Sequence, residues 1–154
     1  MANSLPMSIP MIATQNDLYA LVRAFEEGSL PKSSWTHAAH VTVGANYVFL
    51  HGEEFALETM RQRVRAYNES VGTVNSDTSG YHETLTRFWI AVLARLHREE
   101  TAASHLMFVQ RAVTLYGGRR DLHQRFYNFD VVKNTEARRA WVAPNHWPDC
   151  GIIS

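Results

Sequence analysis

The sequence predicts an all-α fold: a single-domain antiparallel bundle of about five main helices, with a short C-terminal helix and an extended tail. Three observations predict it. Apolar residues recur at spacings of three and four through most of the chain. No segment alternates apolar and polar residues between turn signals, as a half-buried strand would. Glycine, proline and polar clusters cut the periodic stretches into pieces of helix length. At 154 residues the chain can bury one real core, so residues 1–154 are read as one domain.

Residues 1–13 hold two prolines and no periodicity and are read as an irregular arm. Leu18, Leu21, Val22 and Phe25 then mark helix one, with Thr14 or Asn16 as cap and Gly28 as stop. Leu30-Pro31 makes a turn, and Ser33 or Ser34 is the expected N-cap of a second helix running to about His51-Gly52. Its sequence, WTHAAHVTVGANYVFLH, is apolar almost all round, which implies burial on several sides. Glu53-Glu54 suits the positive end of a third helix, whose apolar stripe is Leu57, Met60, Val64, Tyr67 and Val71.

GTVNSDTSG is a loop by composition, and GYHET opens helix four, with Leu85, Phe88, Trp89, Val92 and Leu96 on its apolar face. Helix five carries Ala102, His105, Leu106, Val109, Val113 and Tyr116 and stops at Gly117-Gly118. A short helical piece is expected in DLHQRFY, and a last helix capped by Asn134 or Thr135 runs through Trp141. Residues 143–154, with two prolines, are read as a tail extended over the body.

Composition narrows the function classes. Formal net charge is zero, so no general nucleic-acid partner is expected; Arg61-Gln62-Arg63-Val64-Arg65 reads as a solvated helix face. No apolar run reaches membrane-spanning length and Met1–Met11 lacks the features of a signal peptide, so the expectation is a cytoplasmic protein without a membrane partner. Cys150 stands alone, with no disulfide partner and no identifiable activating base.

The unusual feature is histidine, eight in a short neutral chain. His37 and His40 are three apart and share one helix face, with Gly44 and Tyr47 further along the stripe. Helix two, of roughly 18 residues, and helix three, of roughly 19, have nearly equal lengths at 1.5 Å per residue. An up-down-up path therefore returns the start of helix four, with His82, to the end that holds His37 and His40. Helix N-termini disfavour imidazolium, and neutral imidazole is the form that binds metal or accepts a proton.

The expected ligand set is His37, His40 and His82 around Zn or Fe, because no thiolate set is present. Glu83 is the expected base beside it, with Tyr81 as a catalytic neighbour and Tyr47, Asn68 and Trp35 lining a substrate pocket. Each residue also has a plainer role. The histidine pair can sit in the core bonded to backbone; Glu83 can cap helix four behind Gly80 or Ser79; Trp35 can staple its helix and Trp89 fill the core. His105 is expected buried and satisfied, a reserve fourth ligand. His51, His97, His123 and His146 read as surface, helix-end or tail residues. Gly117-Gly118-Arg119-Arg120 could hold an anion but is first a helix stop. No His-Glu-x-x-His, P-loop, Cys-x-x-Cys, Gly-x-Ser-x-Gly or Glu-x-x-His pattern occurs.

WTHAAH on one helix, YN before a polar loop and GYHET opening the next helix resemble small bacterial all-helical proteins with no activity attached. That resemblance spans about Leu18 to Trp141 and transfers no site residue. The functional expectation is a small metal-dependent enzyme acting on a small organic molecule by activating water or dioxygen, or by polarising a substrate oxygen. The alternatives are a metal-free His/Glu acid–base enzyme (isomerase, lyase or cyclase) and a non-catalytic ligand-binding module or homodimer assembling through apolar helices.

Overall fold

The computed structural model describes residues 12–147. The arm before Ile12, the end of the tail and Cys150 lie outside the described residues. The helices are α1 (Gln15–Glu27), α2 (His37–His51), α3 (Glu53–Ser70), α4 (Glu83–Glu99), α5 (His105–Tyr116) and α6 (Thr135–Arg139), with short 3-10 turns at Lys32–Ser34 and Leu122–Arg125. No strand occurs among the described residues. The protein is an all-α bundle, and no described helix is long and apolar enough to cross a membrane.

α2 is the central helix. It contacts α1, α3, α4 and α5, and every residue from Val41 to Val48 is buried. This is the physical sense of its nearly uniform hydrophobicity: a helix with neighbours on all sides needs no polar face. Gly44 lets α4 pack closely against it, since a Cβ there would meet Leu93 Cδ1 of α4 at 3.0 Å. Phe25, Tyr67, Phe88 and Phe108 are the bulkiest side chains of the core around it.

The caps follow local chemistry. Thr14 and Asp17 form a reciprocal capping box at α1, and Gly28, at φ 75°, ends that helix in the left-handed conformation. The N-cap of α2 is Thr36, not Ser33 or Ser34: its Oγ1 accepts from the Ala39 amide at 3.2 Å. The serines lie in the preceding 3-10 turn, which carries Trp35 between Phe25 (4.4 Å between ring centroids) and His40 (3.8 Å). That stacking delays the helix, and His37 becomes its first residue.

Only Gly52 separates α2 from α3. α2 and α3, with 15 and 18 residues, rise roughly 22 and 27 Å, so the chain returns to the level where α2 began before α4 starts. α6 packs on α4. The described part of the tail lies against the body: His146 N–H donates to the Phe126 carbonyl, Asn145 accepts from the Asn128 amide, and Trp147 meets Phe88 edge-on at 5.6 Å.

Candidate functional site

The starts of α2 and α4 share a cavity of about 540 Å³. α2 contributes His37, His40, Val41 and Gly44; α3 contributes Met60, Val64, Tyr67 and Asn68; α4 and the turn before it contribute Tyr81, His82, Leu85, Trp89, Ile90 and Leu93. Arg120 and His123 reach it from the segment after α5, Trp35 and Lys32 from the turn before α2, and Arg138 from α6. The volume lies within the range that small-molecule sites span, and apolar side chains make up most of the walls.

His37 and His40 are held alike. His37 Nε2 lies 3.1 Å from the Tyr116 carbonyl and His40 Nδ1 lies 2.7 Å from the Thr36 carbonyl. A carbonyl only accepts, so both ring nitrogens carry hydrogen. In neutral rings this leaves His37 Nδ1 and His40 Nε2 as lone-pair acceptors. Among the described residues neither of these atoms has a hydrogen-bond partner, neither is a sealed buried atom, and both residues line the cavity. Both rings are held neutral. Burial pushes His40 down to about 4 against the pull of the Thr36 carbonyl, with His37 and Arg120 adding to the effect. Burial lowers His37 too, opposed by the Tyr116 carbonyl and aided by Arg120. Trp35 stacks on His40 and Trp89 lies against His37 at 4.7 Å, fixing both ring planes.

His82 is different. It is the N-cap of α4, not part of its first turn. Its Nδ1 accepts from the Leu85 amide at 3.2 Å and its Nε2–H donates to the Val131 carbonyl at 2.8 Å. Burial holds this ring below its ordinary value as well. With both nitrogens committed, it has no lone pair left for a metal. Among the described residues no group of three or more His, Cys, Asp or Glu could hold a metal ion. The expected set of His37, His40 and His82 around Zn or Fe therefore reaches one cavity, but does not fit as a ligand set in this structure.

Glu83 also departs from expectation. Its carboxylate points away from the cavity, into a paired ion bridge with Arg61 and an acceptor bond from the Tyr81 hydroxyl at 2.8 Å. Burial opposes its charge, but the hydrogen bonds from Arg61 and Tyr81 outweigh it and hold the carboxyl below the usual range. It is neither the cap of α4 nor a base facing the histidines. Tyr81 lines the cavity, but its hydroxyl is spent on Glu83, and burial and that carboxylate push it far above the ordinary phenol value. Tyr47 is turned out of the cavity, donating to Glu26. Asn68 and Trp35 do line it, with Asn68 Nδ2 held on Asn75 Oδ1 at 2.9 Å. His105 bonds to Asn46 and Gln15, away from the cavity, and is no reserve ligand.

His123, expected at the surface, is 5% exposed and lines the cavity. Its Nδ1 is sealed and makes no well-formed hydrogen bond. The Arg120 carbonyl still lies close enough to favour a protonated ring, though burial outweighs it and lowers the group. A four-residue 3-10 turn has no helical periodicity, so the only signal in the sequence was apolar Leu122 and Phe126 on either side.

No protein-family model, curated protein or solved structure matches the chain. The reading of the site rests on its geometry.

Proposed function

We propose that this protein is a metal-free acid–base enzyme acting on a small organic molecule held in the histidine-lined cavity, with His37 and His40 as the proton-transferring groups. One observation carries the reading: two neutral imidazoles, one turn apart on a buried helix, each anchored by one nitrogen to a backbone carbonyl, with the other nitrogen unpartnered among the described residues, and both lining one cavity. Anchoring fixes the tautomer and the ring direction, which is what a general base needs before substrate arrives. A proton taken by His40 Nε2 gives an imidazolium whose Nδ1–H bond to Thr36 strengthens; His37 Nδ1 then serves the second position of a proton shift. Isomerisation, elimination and cyclisation all fit that pair.

Solvent deuterium incorporation tests this whatever the final product is. Small ketones, keto acids and enolisable acids are incubated in D2O and read by proton NMR. Exchange is expected for at least one compound, to survive EDTA, and to fall by about 100-fold or more in both His37→Gln and His40→Gln. No histidine-dependent exchange or turnover across the panel would leave a binding module. Stoichiometric metal in the purified protein, lost in His37→Ala and His40→Ala, would return the site to metal chemistry.

A further inference from the structure

Resting on the reading of this cavity as a small-molecule site, we infer that its ligand is a small organic anion, a carboxylate on a flat apolar body, with the carboxylate directed to Arg120. The charge pattern of the lining makes the case. Three cationic side chains line the cavity, Lys32, Arg120 and Arg138, and no Asp or Glu does. Glu83, at the start of α4, is paired with Arg61 instead. Asp121 acts on the His37 and His123 rings and Asp130 on His123, but neither lines the cavity.

The three cations are not equivalent. Arg138 is committed to backbone carbonyls of Gly80, Tyr81 and Val132 and serves as a clamp between α6 and the turn before α4. Lys32 and Arg120 are exposed, and neither makes an ion pair among the described residues, although Arg23, Arg61, Arg63, Arg95, Arg98, Arg111 and Arg139 all do. Arg120 is also the cation whose field reaches His37, His40 and His123 together. A carboxylate beside Arg120 is thus within electrostatic reach of both proposed bases, and the fork of the guanidinium suits its two oxygens.

The rest of the lining selects the body. Trp35, stacked between Phe25 and His40, and Trp89, beside His37, line this end of the cavity, together with Met60, Val64, Ile90 and Leu93. Those apolar and aromatic walls favour an aromatic or flat unsaturated skeleton.

The test compares benzoate, phenylacetate, cinnamate and indole-3-acetate with their uncharged primary amides, using the full-length protein. Binding is read by quenching of tryptophan fluorescence and by shifts of the histidine side-chain NMR signals. At least one acid is expected to bind about tenfold or more tightly than its amide, and Arg120→Gln is expected to erase that preference by weakening the acid far more than the amide. Arg120 is exposed, so this variant keeps the fold. Amides that bind as well as acids, or an acid preference that survives Arg120→Gln, overturn the anion inference and leave the cavity reading standing. Absence of any binding at millimolar concentration, acid or amide, overturns both. Binding of acids without histidine-dependent exchange keeps this inference and removes the enzymatic one.

Discussion

The starts of α2 and α4 lie at the same end of the bundle, both carry histidine, and the two use it in opposite ways. At α2 a threonine caps the helix, and His37 and His40 behind it each keep one nitrogen free. At α4 the histidine is the cap: His82 receives the Leu85 amide and donates to Val131, and nothing remains. Asn75 sharpens the contrast, because its Oδ1 takes the Tyr81 amide and leaves His82 as the side chain that caps. A histidine near a helix start is therefore displayed or consumed according to whether another side chain serves the first amides. The proposed chemistry rests on the displayed pair, and the consumed one serves stability.

The strongest test of this contrast is acid. His40 unfolded titrates near 6.5 and folded near 4, so the folded state binds fewer protons between those values. Its contribution is complete above pH 6.5 and is lost as pH falls toward 4, on the order of 3 kcal/mol in all. His37, His82 and His123 are lowered in the same direction and add to the loss. Urea unfolding at pH 7 and pH 4.5 should show this decline, and His40→Gln should flatten it. An equal slope in that variant would mean that the ring is not held neutral.

Next in size is His82→Ala, which removes the cap and strands the Val131 carbonyl. A cost of about 2–3 kcal/mol is expected in urea unfolding. His82→Asn, which can still cap, should recover about half of it. If His82→Ala abolished exchange in a protein of unchanged stability, His82 would belong to the reacting set after all.

Glu83→Gln should cost about 1–2 kcal/mol through the half-buried pair with Arg61. It should leave deuterium exchange within about twofold, since the carboxylate faces away from the cavity. A loss of exchange at full stability would restore it as a base. The smallest effect is Thr36→Ala at about 1 kcal/mol, with Thr36→Ser close to neutral. Because Thr36 also orients His40 through its carbonyl, which the substitution keeps, the acid profile should not move.

Most of the fold was legible because helices announce themselves by local rules. The Thr14 and Gly28 ends of α1, the stripe of α3 and the encircled α2 follow from residues within a turn or two of one another. The meeting of His37, His40 and His82 at one end was legible too, since it needed only two helix lengths and two short connections. The choice of Thr36 over the serines was not, because it depends on Trp35 finding Phe25 and His40.

Residues close along the chain thus dictate the set of helices, their order, and which end of the bundle carries the histidines. The task of each ring nitrogen is set by partners that arrive only when the helices pack. The carbonyls of Tyr116 and Val131, the guanidinium of Arg61 and the burial of His123 come from segments distant along the chain or without periodicity. Helical spacing places a side chain on a face; the partner that meets it there sets whether its lone pair is used or left open.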